Sequence, residues 1–315
     1  MLRRRYQLDP QSGPYRQRGH AFRPLLRNEF QLVGGAIARK TSVTDMAVCT
    51  PSRATIITGQ HNHTNGVQTL FSSIDNRLPN VAKQLRGHSN YQTAIFGKWH
   101  LGEGKAHEPR GFDKWEIVPG QGQYFDPTFL DPNGSHVERG YVTDIITDKT
   151  IDYIEKRDAS KPFFIMCHHK APHRSWECDV KHRELYKDEI NMPDTYNDDY
   201  KNRAKAAGAA KMRVEMDITY YDLGLAQPDG GAEEVGELFF PEMTFLTDRK
   251  IPMPEDVSKM RPLICKHTGE RFTFKTREEL SKWKYQRYMQ RYLQTIQYVI
   301  LRLGFTSDTA KLTCS

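Results

Sequence analysis

Apolar positions between Thr41 and about Ile165 follow two alternating rhythms. Pro51 to Ile57 reads as a short helix, because proline near a first helical position gives up only an N–H that has no partner there. Val81, Ala82 and Leu85 form a helical stripe that Gly87 is expected to end, and Tyr91 to Trp99 reads as a strand. Val142, Ile145, Ile146, Ile151 and Ile154 return at helical spacing. Lys161-Pro162 then resets the chain, and Phe163 to Cys167 forms a short apolar strand. Helices alternating with apolar strands predict an α/β fold whose sheet is covered on both faces.

Beyond His173 the pattern loosens into a polar stretch, and residues 222 to 275 read as loop-dominated. Thr276 and Glu279 are spaced as a capping box, in which each side chain satisfies a free amide at the helix start. The helix that follows carries Leu280, Trp283, Tyr288, Tyr292, Ile296 and Val299. There is no internal repeat.

At 315 residues the chain is long enough for one sizeable core. Mean hydropathy is −0.72, and no segment approaches the roughly 18 apolar residues of a membrane span. The net charge of +7 suggests a polyanionic partner until its distribution is considered. Residues 1–40 hold nine Lys and Arg against two acids, an excess equal to the whole net charge, so the remainder is balanced and no nucleic-acid partner is implied. This basic arm, expected to be irregular, has Arg3 to Arg5 but no apolar run after them, so it does not read as a signal peptide. The five cysteines, Cys49, Cys167, Cys178, Cys265 and Cys314, are irregularly spaced and suggest neither a disulfide framework nor a zinc site.

Three short strings concentrate the chemistry. Cys49 stands just before a proline-started helix, where unpaired N–H groups and the positive helix end favour an anion. In Gly97-Lys98-Trp99-His100-Leu101-Gly102, Lys98 and His100 alternate with Trp99, so on an extended chain both point to one side at the carboxyl end of the sheet. An ammonium and an imidazole placed there can grip an anion and move a proton. Cys167-His168-His169-Lys170-Ala171-Pro172-His173-Arg174 follows the strand from Phe163, with ligands too crowded for ordinary zinc spacing.

The run Cys49-Thr50-Pro51-Ser52-Arg53, with Thr58-Gly59 behind it, resembles the active-site signature of the type I sulfatases, and the Lys98 string resembles their second signature. Asn90 replaces the glycine usual before Tyr91. Glycine-rich Pro119-Gly120-Gln121-Gly122 and the Lys170-Ala171-Pro172-His173 element look most like sulfatases of sulfated glycans, of N-acetylglucosamine-6-sulfate above all. The resemblance covers about 41–296 and implies an alkaline-phosphatase-like α/β domain with a mixed sheet, truncated at both ends, followed by a divergent tail at 297–315. It further implies that Cys49, in the motif with Pro51, Ser52 and Arg53, is converted to 3-oxoalanine (formylglycine) by a formylglycine-generating enzyme. The hydrated aldehyde then attacks sulfur while His173 protonates the departing alcohol, and His100 acts as base when sulfate is expelled. Arg53 and Lys98 offset negative charge, and Lys98, His169, Lys170 and Gln121 line the substrate site. Family members are commonly secreted, periplasmic or lysosomal.

The family also implies a divalent cation, usually Ca2+, held by oxygen ligands and by the modified Cys49. Ahead of Cys49 this chain has only Asp9, Glu29 and Asp45, never an adjacent acidic pair. Thr306-Ser307-Asp308-Thr309-Ala310 is similar to the late metal loop, which makes Asp308 a candidate ligand, and the later sulfate-binding lysine has no counterpart. The expected function is a sulfuric ester hydrolase acting on a sulfated carbohydrate. The alternatives are a catalytically incomplete remnant that binds anions, and a phosphate or phosphonate ester hydrolase of the same superfamily.

Overall fold

The structure is a computed structural model and describes residues 48–210, 213–220, 222–226, 256–260 and 262–312, without the side chains of 216, 301, 303 and 305–312. The basic arm at 1–40 and the three acids before Cys49 lie outside the described residues.

Helix α1 (Cys49–Thr58) starts on an extended Val48, whose carbonyl accepts from the Ser52 amide at 3.0 Å. Gly59 closes it in the left-handed region at φ 68°. The single turn α2 (Asn62–Asn65) is tied back by the Asn62 amide, which donates to the Pro51 carbonyl at 2.9 Å. Helix α3 (Val81–Ser89) runs through Gly87, contrary to the sequence expectation, and ends at Asn90 with φ 53°. Glycine suits that left-handed cap best and asparagine next, which accounts for Asn90 where the family has glycine.

The main sheet has five strands in the order β4-β3-β2-β1-β5. Strands β1 (Gln92–Lys98), β2 (Lys114–Val118) and β5 (Phe163–His168) run parallel, and β3 (Thr128–Asp131) and β4 (Gly134–Val137) add antiparallel pairings. The sheet is therefore mixed, as expected. Strand β1 is buried along nearly its whole length and alternates between two cores. Ile95 packs with Ala54 and Ile57 of α1 and Ala82 of α3. Ala94 and Phe96 face the other way, onto Val142 and Ile146 of α4 (Val142–Lys156) and Tyr298. Period-two alternation thus puts helices on both faces, because each face must cover its own apolar side chains.

Gly97 sits where β1 and β5 come closest. Its φ is +94°, and a β-carbon there would lie 2.1 Å from the His168 carbonyl oxygen. Glycine is required at this point by both backbone conformation and space.

The region expected to be loop-dominated contains a small antiparallel sheet of β6 (Leu225–Ala226), β7 (Leu263–Cys265) and β8 (Arg271–Phe272), beyond the short helices α5 (Lys205–Ala209) and α6 (Val214–Asp217). It packs in a third cluster with Trp176, Leu223, Phe274 and Leu280. Helix α7 (Arg277–Leu312) joins this cluster to the main sheet. Its cap follows the sequence, since the Glu279 amide donates to Thr276 Oγ1 at 3.1 Å, although the Glu279 carboxylate accepts from Lys275 N rather than Thr276 N. The backbone stays helical through Thr306 to Ala310, so the expected metal loop around Asp308 is a helix, and the Asp308 side chain lies outside the described set.

Candidate active site

The carboxyl ends of parallel β1 and β5 meet the start of α1, the place where open α/β sheets collect ligands. Cys49 occupies the first turn of α1 and is half-buried. Arg53, one turn on, reaches across the strand ends, donating from Nη1 to the Lys98 carbonyl at 2.6 Å and lying 2.9 Å from His168 Nδ1. The guanidinium pKa is lowered by burial, with the Cys49 charge opposing that shift.

Lys98 ends β1 and is 3% exposed. Burial pushes its pKa down to about 8, while a hydrogen bond to Cys49 holds it up. Its ammonium donates to Gln121 Oε1 at 2.5 Å, and Gln121 Nε2 lies 3.5 Å from His100 Nε2. His100 Nδ1 is 3.3 Å from Thr50 Oγ1, which donates to the Leu70 carbonyl at 3.3 Å. The ammonium has only donors, so the bonds run one way, from Lys98 through Gln121 and His100 to Thr50. In that order His100 carries its proton on Nδ1 and leaves Nε2 as an acceptor. Its pKa, lowered to about 4 by burial and then by Lys98 and Arg53, keeps the ring neutral near pH 7. The extended-chain expectation for His100 holds only in outcome: β1 ends at Lys98, and His100 takes φ 54° to reach the same amide.

Lys170 is buried, its Nζ 4.5 Å from the Tyr124 ring centroid, and burial together with repulsion from Lys98 brings its pKa to about 8. His173 follows in a turn closed by its amide on the Lys170 carbonyl at 3.1 Å, after a cis Ala171-Pro172 peptide. The Tyr124 hydroxyl donates to the His173 carbonyl at 2.6 Å. His173 Nδ1 donates to the Arg174 carbonyl, which leaves Nε2 as the other ring nitrogen available to a ligand. Burial, then Lys98 and Lys170, take its pKa to about 3.

A cleft of about 690 Å³ opens over these groups, lined by His100, Gln121, Lys170 and His173 with Phe71 and Glu177. Cys49, Arg53 and Lys98 are not among its lining residues, and Lys98 meets the lining at Gln121 Oε1. His169, expected in the substrate site, does not line this cleft either. Its Nε2 lies 3.6 Å from Cys167 Sγ, and Arg302 on α7 acts on its charge, so it faces the helix side of the sheet. Sequence reasoning passed over His168, whose Nδ1 sits 3.2 Å from the Lys98 carbonyl beside Arg53, and Thr50, which orients His100.

The groups near Cys49 are two cations and two neutral imidazoles. Among the described residues, the charges acting on Arg53, Lys98 and His100 are one another's and that of Cys49, with no carboxylate among them. The described part of the site by itself does not supply the oxygen ligands that a hard divalent cation needs. One group of metal-type side chains occurs among the described residues, Glu116 on β2 with His136 on β4 and Glu138 just after it, and the Lys149 ammonium already binds both carboxylates. A half-buried Cys49 beside Arg53 and Lys98 does fit the aldehyde that the family makes there.

Fold and site together define an α/β domain with Cys49 at a helix start beside the carboxyl ends of its parallel strands. The family model described as Sulfatase matches residues 31–299, and the chain belongs to that family. It is 38% identical over 266 residues to an N-acetylglucosamine-6-O-sulfatase of Bacteroides thetaiotaomicron, a match covering 82% of this chain and 45% of that protein. It is also 29% identical over 162 residues to the N-acetylglucosamine-6-sulfatase of Homo sapiens, 44% of this chain and 29% of the relative. Among solved structures it is similar to BT4656 in complex with its substrate D-glucosamine-2-N,6-O-disulfate, with a TM-score of 0.66, 33% identity, 85% of this chain and 53% of that one. The chain spans about half the length of these first relatives.

Proposed function

We propose that the cleft cleaves a sulfate ester on a glucosamine-type sugar, releasing sulfate and the sugar alcohol. The observation that supports this reading most is the convergence of Cys49, Arg53 and Lys98 at the start of α1 with His100 and His173 at the cleft wall. The relatives named above act on, or are bound to, 6-sulfated glucosamines, and that is the substrate class proposed.

Formylglycine made from Cys49 supplies, when hydrated, an oxygen nucleophile for sulfur. Lys98 and Arg53 hold the negative charge of the sulfuryl group in a buried setting, where a fixed cation is worth more than in water. His173 gives a proton from Nε2 to the leaving sugar oxygen. The ring is neutral in the free protein, held so by burial first and by Lys98 and Lys170 next, so it takes a proton from solvent as the ester binds and its sulfate offsets the two ammonium groups. His100 Nε2, with Nδ1–H fixed on Thr50, exchanges the bond from Gln121 for the proton of the remaining hydroxyl at position 49, so that the carbon–oxygen bond to sulfate breaks and the aldehyde re-forms.

A second reading rests on the charges acting on Arg53 and Lys98 beside Cys49, which include no carboxylate among the described residues: a site that binds the sulfate ester without turning it over. Sulfate release from N-acetylglucosamine 6-O-sulfate by purified chain carrying formylglycine separates the two. Turnover abolished by Cys49→Ala supports hydrolysis, whereas saturable binding with no release supports the second reading.

A further inference from the structure

Asp222 is a carboxylate that the chemistry above leaves unused, and it is only 2% exposed. It stands 48 positions beyond Arg174, whose Nε donates to its Oδ1 at 2.9 Å. Its Oδ2 accepts from the Thr219 amide at 3.1 Å and from the Thr219 hydroxyl at 2.8 Å. The Leu223 amide closes the turn on the Tyr220 carbonyl at 3.1 Å, and Ile218, Tyr220 and Leu223 pack in the third cluster. With both oxygens engaged and a core behind it, Asp222 is a fixed anchor.

Arg174 joins that anchor to the cleft, which it lines together with His173. Its carbonyl accepts the His173 Nδ1–H, so one residue holds the imidazole with its backbone and Asp222 with its side chain. Three further bonds fix the neighbouring segment: the His173 amide to the Lys170 carbonyl, the Tyr124 hydroxyl to the His173 carbonyl, and Trp176 Nε1 to the Pro172 carbonyl at 2.9 Å. None of these three touches the Arg174 carbonyl or the His173 ring. A neutral imidazole keeps its proton on the nitrogen that has an acceptor, so the direction of the Arg174 carbonyl selects the tautomer.

We propose that Asp222 is a positioning residue for His173: through Arg174 it holds the carbonyl that keeps the imidazole in the Nδ1–H tautomer, with Nε2 left for the leaving oxygen. The proposal rests on the reading of His173 as proton donor to that oxygen. During cleavage the Nε2 proton passes to the sugar oxygen as its bond to sulfur breaks, and the Nδ1–H bond to Arg174 persists.

Two measurements on the full chain test this. Nitrogen NMR of isotope-labelled histidine at pH 7 reads the tautomer, the His173 signal being identified by its loss in His173→Gln. The expected form is Nδ1–H, and Asp222→Asn should shift the signal toward Nε2–H. Sulfate release by the formylglycine form is then compared for N-acetylglucosamine 6-O-sulfate, whose alkoxide needs a proton to leave, and 4-nitrophenyl sulfate, whose phenolate does not. Asp222→Asn should lower kcat on the sugar ester by about tenfold and on the aryl ester by less than about twofold, a split that His173→Gln shows more strongly. Removing one charge leaves its partner buried and unpaired, so Arg174→Met combined with Asp222→Asn is the variant that keeps the fold free of that penalty. It should show the same tautomer shift and the same split. A His173 ring that is Nε2–H in the unsubstituted chain, a tautomer that neither variant changes, or equal loss on both esters overturns the proposal. No release from either ester by the unsubstituted chain overturns the ester reading instead, and the spectrum still decides whether Asp222 sets the tautomer.

Discussion

At the residue scale, the site holds buried cations close to their neutral forms. Lys98 and Lys170 both titrate at about 8, chiefly because burial disfavours the charged ammonium. These lysines hold a sulfate only when protonated, so their share of its affinity should be constant below about pH 7 and fall as pH rises through 8. Calorimetric titration with inorganic sulfate across pH 6–9.5 measures this, and Lys98→Met should weaken binding by about tenfold or more at neutral pH and flatten much of the profile. The same sign applies to His173, in a lower pH range. Its pKa near 3 in the free protein means that a general acid there must gain its proton on binding. Sulfate binding at pH 6 should therefore take up protons, seen as a dependence of the measured heat on buffer ionisation enthalpy, and His173→Gln should reduce that uptake. The sequence showed which residues carry charge here but not their protonation states. Those follow from burial and from neighbours such as Arg53 and Lys98, which lie 45 positions apart.

At the scale of elements, periodicity revealed α1, α3, α4, β1, β5 and the start of α7, because each has one apolar face or an apolar run against a core. What it could not reveal depends on register between strands. His168 reaches Arg53 because β5 pairs with β1 so that Gly97 faces His168, and no local signal in Phe163 to His168 records that pairing. The same register explains Gly97. Gly97→Ala should cost about 3 kcal/mol or more, or prevent folding, since its β-carbon meets backbone rather than a side chain that can move. Asn90→Gly should be neutral or add a few tenths of a kcal/mol, roughly. Urea unfolding of both variants checks the contrast. The small sheet of β6, β7 and β8 was illegible for a different reason: its strands are two or three residues long, shorter than an alternation needs to show.

For the whole molecule, α7 is the tie between two bodies of core. Leu280 near its start belongs to the cluster of Trp176 and Leu263, while Tyr298 further along packs with Phe96 and Ile146. Tyr298 and Arg302 also bond Asp144 on α4. The chain should consequently unfold in one transition, with Trp fluorescence and far-UV circular dichroism superimposable. Leu280→Ala should lower stability by about 2–5 kcal/mol and shift both signals together. Separate midpoints would show that the two clusters are independent.

The one-way order of bonds from Lys98 through Gln121 and His100 to Thr50 makes position 121 intolerant of its closest chemical relative. Glutamate would match glutamine in shape and would still receive the ammonium. It has no hydrogen to offer the imidazole, so the ring would have to turn over or become an imidazolium, and the acceptor at Nε2 would be lost either way. An exchange that a substitution table scores as mild is therefore, at this one place, a reversal of polarity.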